Sequence, residues 1–584
     1  ILGEGTQPSP SVTMPDLSVA KAPRLSLVVR PFTNLSGNSD EDYLAEMIAE
    51  DVSTDLSNLP DLMVIGQASA ARFKDRGVGA KQIGERLGVR YVVEGSVRKL
   101  GDVIRVSAQL ISTETSSAVW AGRFDQSVQD LALGQEEIAS RVAEVLGAQM
   151  YYAESARSLR ERPDNPDAAD LFMRGYSLWR KGADAHRAEA SALFEQALEL
   201  DPKSTSAICA LADELINSFV MPEYHNRGDE NLLERTRPLV AAAAAIEPHS
   251  QRGMRAQANL LRAQGRWDEA GALYQTILEI YPNGLSSYRL LGFTKMALGQ
   301  AEEAIQLLQR SIRLDPLTPF NRASIQRIGN GLLLLGRDEE AIEWLQRAIA
   351  AGGSAPPPWR AQCNLFLASA FALTGQSDKA RTAIAQANRL WPFATVRSLP
   401  PTMTPRGIPH PLYLEQMRHV QEGFRLAGLR DHAEEEADSG VAPVGGLQTD
   451  LVAPTPRDVP GVKTIRTAEL GELLAQTTPL LIDVALDSWG YSLPGAVGLQ
   501  GIGHGAAFSE ALQARFARKI HSLTDGDKTK PIVVFCVNSE RFTGYNAALR
   551  LAALGYTDVR WYRGGVEAWE VNGLPESAFV LQAW

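Results

Sequence analysis

Short apolar runs alternate with amphipathic helical patterns over the first part of the chain, from residue 23 to about residue 152. The runs are rich in β-branched residues and predict strands, while the segments between them place apolar residues at helical spacing. The predicted strands are 26–30, 62–65, 90–99, 103–112 and 118–124, and the predicted helices are 41–59, 79–88 and about 130–151. Strands that alternate with helices in this way predict an α/β domain.

The second part, residues 153–432, is helical throughout and repeats itself. Ala270 and Ala304 are 34 residues apart, and so are Pro282 and Pro316. This period, with a small residue early in the unit and a proline that closes it, is typical of tetratricopeptide repeats. A single helix pair cannot bury its apolar face, so neighbouring pairs stack. We therefore predict an all-α superhelix whose concave surface binds a protein partner.

The α/β alternation returns in the third part, residues 461–584. Its three continuous apolar segments are typical of buried parallel strands and lie at 479–485, 530–536 and 558–562. Residues 433–460, which connect the repeats to this part, are acidic and rich in proline and glycine, and they predict an interdomain linker. Residues 1–22 are also predicted to be a linker.

Composition and charge narrow the classes of function. The chain has 584 residues and a formal net charge of −11, and no basic stripe offsets the acidity, so nucleic acid is not an expected partner. No apolar run is long enough to predict a membrane span. The three cysteines, Cys209, Cys363 and Cys536, are far apart in the sequence, so no metal site, disulfide framework or cofactor is predicted. Cys209 and Cys363 lie on predicted repeat helices and are expected to be core residues.

Cys536 has a different setting, because it ends the apolar segment 530–536 just before a helix predicted from about Thr543. Open α/β sheets place their sites at the carboxyl ends of the strands. A helix N-terminus and Arg541 would both favour the thiolate form of Cys536. Glu540 would oppose it unless its carboxylate points away. A lone cysteine at the end of an apolar strand is more often a buried core thiol, so from these features alone Cys536 is either that or a nucleophile.

Three ordered motifs in the third part resemble the rhodanese (sulfurtransferase) domain. They are LLIDVALDSWGYSLPGA, VVFCVNSER and WYRGGVEAWEVNGLP. The resemblance implies an open parallel sheet in which Cys536 accepts a sulfane sulfur, with a small donor such as thiosulfate or a persulfide. It also implies a cradle formed by the backbone that follows this cysteine. The implied substrate-binding residues are Asp483, Val537, Asn538, Ser539, Glu540, Arg541, Phe542 and Thr543.

The third part also departs from the rhodanese pattern. Ala485 stands where the family usually has arginine, Ser492 replaces a histidine, and the pair Ala547-Ala548 lies about two residues late. A longer loop would resemble the rhodanese-fold dual-specificity phosphatases, but Phe542 occupies the position where those enzymes need arginine. Phosphatase activity is therefore not predicted.

A tail reading NAALRLAALGYTDVRWYRGGVEAW is similar to that of rhodanese-like proteins with a CxxCW loop. In this chain Glu540 lies near the place of their second cysteine, so the resemblance implies a persulfide route rather than a dithiol route.

The first part resembles the TolB-amino-terminal-like domain. The resemblance is carried by RPFTNLSGNSDEDYLAEMIAEDVSTDLSNLPDLMVI and LGVRYVVEGSVRKLGDVIRVSAQLIST, followed by VWAGRFDQ. That domain accompanies tetratricopeptide repeats in bacterial class III adenylate cyclases and CadC-like regulators. The resemblance implies a non-catalytic α/β domain in a bacterial protein.

The sequence thus predicts a multidomain protein in the order α/β, all-α and α/β, with chemistry at Cys536 alone. The favoured hypothesis is a rhodanese-type sulfurtransferase or persulfide carrier, with the first two domains as a partner-binding scaffold. The alternative is a non-enzymatic sensor or assembly scaffold with a degenerate rhodanese module. We expect a periplasmic location behind a membrane anchor that precedes residue 1, with a cytoplasmic location as the alternative.

Overall fold

A computed structural model describes most of the chain. The described residues are 22–59, 61–73, 77–127, 131–181, 184–220, 230–282, 284–314, 318, 320–353, 355–397, 410–485, 491–508, 511–578 and 580–581. The linker predicted at residues 1–22 therefore lies outside them, apart from its last residue. The chain divides into two compact units, residues 1–166 and residues 167–584.

The first unit is a mixed sheet with helices. Its strands are β1 (Ser26–Val29), β2 (Thr33–Asn34), β3 (Met63–Ile65), β4 (Tyr91–Leu100), β5 (Val103–Ser112) and β6 (Ala118–Ser127). Its α-helices are α1 (Asp42–Ser57), α2 (Gln67–Ala70), α3 (Ala80–Leu87) and α4 (Leu131–Glu161). The sheet order is β3-β1-β4-β5-β6, with β2 beside β4. The last helix continues ten residues beyond the predicted end at residue 151.

The strand patterns explain how this sheet is built. All four residues of β1 are buried, as expected for a central parallel strand, and β1 pairs in parallel with both β3 and β4. Strand β5 instead alternates half-buried and buried residues, which is typical of a sheet with one packed face. β4 and β5 form the predicted hairpin, with Gly101 in its turn at a φ of 60°.

The second unit begins with thirteen α-helices among its described residues. They are α5 (Ala168–Arg180), α6 (Asp184–Leu200), α7 (Thr205–Val220), α8 (Glu230–Ile246), α9 (Gln251–Ala263), α10 (Trp267–Ile280), α11 (Leu285–Ala297), α12 (Ala301–Leu314), α13 (Asn321–Leu334), α14 (Asp338–Ala351), α15 (Pro357–Leu373), α16 (Ser377–Leu390) and α17 (Pro411–Leu426). From α5 to α16 each helix packs against the next, and α17 packs against α15. The small residues that set the repeat, Ala270 and Ala304, are fully buried. Cys209 and Cys363 are also buried, as predicted.

The C-terminal part of the second unit is an open parallel sheet. The strands of this sheet are β7 (Lys463–Ile465), β8 (Leu480–Asp483), β10 (Val497–Gly498), β11 (Ile532–Phe535), β12 (Val559–Tyr562) and β14 (Val580–Leu581). Two further strands, β9 (Tyr491–Ser492) and β13 (Ser577–Ala578), form a separate antiparallel pair. The helices of this part are α18 (Thr467–Gln476), α19 (Ala511–Thr524), α20 (Phe542–Ala553) and α21 (Gly565–Val571). The order is β14-β10-β8-β11-β12-β7, and every pairing along it is parallel. The predicted parallel sheet is confirmed.

Strand β11 lies inside this sheet and is buried on both faces. Ile532 and Val534 pack into one apolar cluster, whereas Val533 and Phe535 pack into another on the opposite face. Such two-sided burial is why the strand is a continuous apolar run rather than an alternating one. Cys536, the next residue, belongs to the first cluster.

Within the part of the chain that the structure describes, no α-helix combines the length and apolar character needed to cross a bilayer.

Candidate functional site

Cys536 lies where the sequence predicts it, at the carboxyl end of β11. The chain turns over the following residues and enters α20 at Phe542, with Arg541 immediately before the helix. The Cys536 side chain is only 1% exposed, because apolar residues of β12 and α20 surround it. Cys536 therefore ends a central parallel strand as predicted, but solvent does not reach its thiol in this structure.

The thiol is held by the backbone of its own loop. Its S–H is within hydrogen-bonding distance of two carbonyl oxygens, those of Asn538 (3.4 Å) and Arg541 (3.5 Å). Burial raises the pKa of Cys536 above its usual value, although hydrogen bonds from Thr543 and from the Gly544 and Asn538 N–H groups act in the opposite direction. In this closed state the protonated thiol is favoured, so the thiolate expected from the loop pattern requires a change in the surroundings.

Glu540 and Arg541 point in different directions. The Glu540 carboxylate accepts from Nη1 of Arg430 at 2.8 Å and also from Nη2 of the same guanidinium. It is therefore paired at the end of the repeats, away from the thiol. The Arg541 side chain is 5% exposed and donates from Nη1 to the Glu540 carbonyl at 3.1 Å. The two charges predicted to compete at Cys536 are thus separated.

Residues 434–455, which we call the strap, cover this loop. Thr455 donates from its backbone N–H (3.1 Å) and from its hydroxyl (2.6 Å) to the Ser539 carbonyl. Ser539 donates from its hydroxyl to the Glu434 carbonyl at 2.9 Å. The Phe542 N–H, which begins α20, donates to the Leu451 carbonyl at 3.0 Å. These bonds connect both ends of the strap to the loop that follows Cys536.

The strap also contacts the side chains of α20. The Tyr545 hydroxyl donates to the Val444 carbonyl at 2.7 Å and accepts from the Val444 N–H at 2.9 Å. Asn546 pairs with the backbone of Gln448 in the same way, through both its amide nitrogen (2.8 Å) and its amide oxygen (2.9 Å). The segment predicted to be a linker is thus irregular in backbone, as its composition suggests, but it is hydrogen-bonded to the candidate site.

Asp483, which the rhodanese resemblance counts among the substrate-binding residues, is completely buried at the end of β8. It accepts from the Ser492 hydroxyl at 2.6 Å and from the Ala485 N–H at 2.8 Å. These contacts also explain how Ser492 fits where the family has histidine. Burial raises the pKa of Asp483 to about 6, and both hydrogen bonds oppose that rise. The structure therefore gives Asp483 a supporting position beside β11 and places its partners outside the loop.

The raised pKa of Asp483 predicts a pH-dependent stability. The pKa of this carboxyl is 3.8 as a free group and about 6 in the folded protein. Its protonated form therefore stabilises the folded state fully below pH 3.8, and this contribution is lost as the pH rises through about 6. The loss amounts to about 3 kcal/mol in the free energy of unfolding. Asp483→Asn keeps an oxygen that accepts from the Ala485 N–H and offers an amide N–H to the Ser492 hydroxyl, but it does not titrate. The free energy of unfolding of the variant should therefore rise by about 3 kcal/mol relative to that of the parent between pH 4 and pH 7.

Urea titrations at several pH values, read by pulse alkylation of the Cys536 peptide, measure the unfolding of this domain within the full chain. Ser492→Ala serves as the control, because it removes a hydrogen bond but keeps the carboxyl. A constant difference between parent and Asp483→Asn across the range would contradict the assignment.

Two residues near the thiol were not singled out from the sequence. The Trp561 indole Nε1 is buried and has no hydrogen-bond partner among the described residues. A Cβ added to Gly544 would lie 3.0 Å from this nitrogen and 3.2 Å from Cys536 Sγ, so both groups face the same point of α20. Trp561 appeared in the sequence only as part of an apolar strand, which gave no signal of a free donor.

Glu567 is the second of these residues and links the loop to the end of the repeats. Its backbone N–H donates to the Val537 carbonyl at 3.0 Å. Its carboxylate, which is 2% exposed, accepts from the Thr395 hydroxyl at 2.6 Å and from the Ala433 N–H at 2.9 Å. Burial raises the pKa of Glu567. A charged residue inside the apolar stretch GVEAW was the only sequence signal for this contact.

Comparison with known protein families agrees with this geometry. The model of the rhodanese-like domain matches residues 466–572, which span β8, β11 and α20. The C-terminal part is a rhodanese-like domain. Two tetratricopeptide repeat models match residues 252–316 and 290–356, which confirms the repeats predicted from the 34-residue period.

One curated relative and two solved structures show how far the similarity extends. The relative is "Putative adenylate cyclase 3" of Rhizobium meliloti (strain 1021), with 30% identity over 237 residues, or 40% of each chain. PilF of Pseudomonas aeruginosa is 19% identical over 39% of this chain and 93% of its own, with a TM-score of 0.30. The Cut9-Hcn1 tetramer structure is 13% identical over 49% of this chain and 48% of its own, with a TM-score of 0.35. The repeat assignment therefore rests on the two family models.

Proposed function

We propose that the chain is a rhodanese-type sulfur acceptor and persulfide carrier that works through Cys536, with the repeats as its partner-binding scaffold. The observation that carries the proposal is the placement of Cys536 at the end of β11, directly before the N-terminus of α20. There the Thr543 side chain and the N–H groups of Asn538 and Gly544 are within reach of its sulfur. Donors of this kind stabilise a thiolate and a terminal persulfide sulfur.

The reaction has two balanced steps. The thiol first loses its proton to solvent, and the Cys536 thiolate attacks the outer sulfur of thiosulfate. A bond forms between Sγ and that sulfur, the sulfur–sulfur bond of thiosulfate breaks, and sulfite leaves with the electron pair. An acceptor thiolate then attacks the outer sulfur of the persulfide, which returns Cys536 as a thiolate and leaves the acceptor as a persulfide.

This chemistry requires Cys536 to become accessible, and the strap is the segment that moves in this proposal, because its Leu447, Leu451 and Ala453 pack against the apolar cluster that contains Cys536. Water, thiosulfate and an acceptor thiol all need access to a side chain that is 1% exposed. Displacement of the strap would rehydrate Cys536, which removes the main cause of its raised pKa. The tetratricopeptide domain supports the partner-binding role, since stacked repeats form extended concave binding surfaces. A TolB-amino-terminal-like identity for the first unit and a periplasmic location belong to the same proposal and rest on the motif resemblance.

A scaffold without catalysis is the second candidate function, and the closed loop favours it. Glu540 is paired with Arg430 of the repeat end, and Ser539 is bonded to the strap, so two loop residues make structural contacts. In a scaffold, these contacts would permanently fix the rhodanese-like domain against the repeats.

Cys536→Ser separates the two functions. We expect the parent protein, incubated with thiosulfate, to gain the mass of one sulfur atom, and the variant to gain none because serine cannot form a persulfide. Intact-mass spectrometry measures the gain, and Cys363→Ser is the matched control, since that cysteine is buried in a repeat helix.

The same measurement is made in a Thr455→Val background, where the strap is loosened. If Cys536 there reacts with iodoacetamide but takes no sulfur from thiosulfate or from a small persulfide, the sulfur-carrier function is wrong and the scaffold remains.

A further inference from the structure

Trp561 lies beside Cys536 on the face of the sheet that α20 covers. It pairs with Val534 of β11, two residues before Cys536, so the side chains of Trp561 and Cys536 are on the same face. Both belong to one apolar cluster, to which α20 also contributes. Of the tryptophans that the structure describes, Trp561 alone is a member of this cluster.

The indole of Trp561 carries a buried donor that has no acceptor. The side chain is fully buried, and no atom of the described part of the chain accepts from Nε1. An indole N–H can only donate, and buried polar groups in folded proteins nearly always have a partner. The ring is also held in place by Tyr545, since the two rings are almost perpendicular (89°) and their centroids are 5.5 Å apart. The donor is therefore fixed in position and available to a bound group.

Gly544 separates this donor from the thiol. A Cβ at this residue would lie 3.0 Å from Trp561 Nε1 and 3.2 Å from Cys536 Sγ, so the two atoms are no more than about 6 Å apart. A second sulfur bonded to Sγ extends about 2.05 Å from it. If it points towards the indole, this outer sulfur is about 4 Å or less from Nε1, within reach of an N–H···S hydrogen bond. Because residue 544 is glycine, no Cβ intervenes.

The donors of the loop and the indole act on different sulfur atoms. The Thr543 side chain and the N–H groups of Asn538 and Gly544 act on the thiol sulfur itself. The Trp561 N–H makes no hydrogen bond to that sulfur, so it gains an acceptor only when a second sulfur is bonded there. An interaction that is made in the loaded form and not in the empty form shifts the equilibrium towards the loaded form.

We propose that Trp561 is a sulfur-binding residue whose indole N–H donates to the outer sulfur of a Cys536 persulfide. The proposal rests on the function proposed for Cys536 and adds a group that touches the transferred atom. The persulfide forms as described above: the bond from Sγ to the outer sulfur of thiosulfate forms, the sulfur–sulfur bond of thiosulfate breaks, and sulfite leaves with the electron pair. Trp561 keeps its proton throughout. Since Trp561 and Gly544 lie outside the strap, they stay beside Cys536 when the strap moves.

The test measures how strongly the full chain holds the transferred sulfur. The parent, Trp561→Phe and Trp359→Phe are each incubated with mixtures of thiosulfate and sulfite until the loaded fraction is constant, and intact-mass spectrometry measures that fraction. The equilibrium constant for loading follows from its dependence on the ratio of sulfite to thiosulfate. Trp359→Phe is the matched control, because the indole nitrogen of Trp359 is also buried without a partner in the described chain, and Trp359 packs in one cluster with Cys363.

Trp561→Phe should lower the equilibrium constant for loading by about tenfold or more, the effect expected from loss of one hydrogen bond to a charged group. Phenylalanine keeps an apolar ring at this position but has no N–H. Trp359→Phe should leave the constant of the parent unchanged. Equal constants for the two variants would overturn the proposal.

A second measurement on the parent decides the matter even where Trp561→Phe folds poorly. The chain has ten tryptophans, few enough for their indole N–H signals to be followed separately by nuclear magnetic resonance after ¹⁵N labelling. One of these signals should move downfield as sulfur loads, and Cys536→Ser should show no such movement. A loaded parent in which no indole signal moves would contradict the hydrogen bond.

The two proposals fail in different ways. A parent that takes sulfur from neither thiosulfate nor a small persulfide has no sulfur-carrier function at Cys536, and the role of Trp561 falls with it. A parent that loads sulfur equally well with and without the indole N–H keeps the carrier function but excludes Trp561 from binding the transferred atom.

Discussion

Thr455→Val is expected to raise the alkylation rate of Cys536 by about tenfold or more, since loss of a buried hydrogen bond costs about 1–3 kcal/mol. The Thr455 hydroxyl donates to the Ser539 carbonyl at 2.6 Å and accepts from Arg563 Nε at 3.2 Å. Valine keeps the shape but removes both bonds, which weakens the closed state of the strap. Because alkylation of a buried thiol proceeds through an open state, the rate follows the population of that state.

The measurement is iodoacetamide labelling of the native full chain, resolved by peptide mass for each cysteine. Cys209 and Cys363 report any global loosening, since both are buried in repeat helices and burial raises the pKa of each. Thr477→Val is the matched control, because its hydroxyl bonds to the Leu473 carbonyl at the end of α18 and not to the strap. Equal labelling of Cys536 in Thr455→Val and Thr477→Val would show that the strap does not control access.

Gly565→Ala should unfold the rhodanese-like domain or destabilise it by more than about 4 kcal/mol. Few single substitutions have so large an effect. An added Cβ would lie 2.1 Å from the Cys536 carbonyl oxygen and 2.7 Å from the Val537 carbonyl group. The backbone cannot retreat easily, because the Val566 and Glu567 N–H groups donate to those same two carbonyls at 3.0 Å. The start of α21 therefore fixes the base of the loop at a distance that only glycine permits.

Gly573→Ala separates this contact from backbone strain. Gly573 has a φ of 68°, close to the 64° of Gly565, but an added Cβ there meets nothing within 4 Å. Its substitution should cost only the left-handed strain of a non-glycine residue, about 1–2 kcal/mol. Urea titration read by pulse alkylation of Cys536 compares the two variants. Equal midpoints for both would mean that the close approach of α21 to the loop is not needed for stability.

Much of the architecture could be predicted from local patterns. The hairpin of β4 and β5 follows from β-branched runs on either side of Gly101, and the repeat helices follow from the recurrence of Ala270 and Ala304. The placement of Cys536 between β11 and α20 follows from an apolar run that ends where a helical pattern begins. Each of these depends on residues that are close in sequence, where periodicity and turn chemistry carry the information.

The state of the candidate site depends on residues that are far apart in the sequence. Arg430 and Glu540 are 110 positions apart, and Thr395 and Glu567 are 172 apart. Arg430 and Glu540 have no local signature, since a lone charged residue in an irregular segment is equally compatible with solvent. Glu567 has only a weak one, because a glutamate within the apolar stretch GVEAW does not indicate its partner. The same holds for the strap, whose acidic, proline-rich composition predicts an irregular backbone but not the surface to which that backbone is bonded.

The sequence by itself therefore determined the elements, the repeat period and the position of one cysteine at the end of a parallel strand. Only the tertiary structure decided that the thiol of this cysteine is shielded from solvent, because burial and hydrogen-bond partners depend on which distant segments meet. The opposing effects on the pKa of Cys536 show the reason. The helix N-terminus and Arg541 lower this pKa, as the sequence predicts, but desolvation by the surrounding core and strap raises it by more.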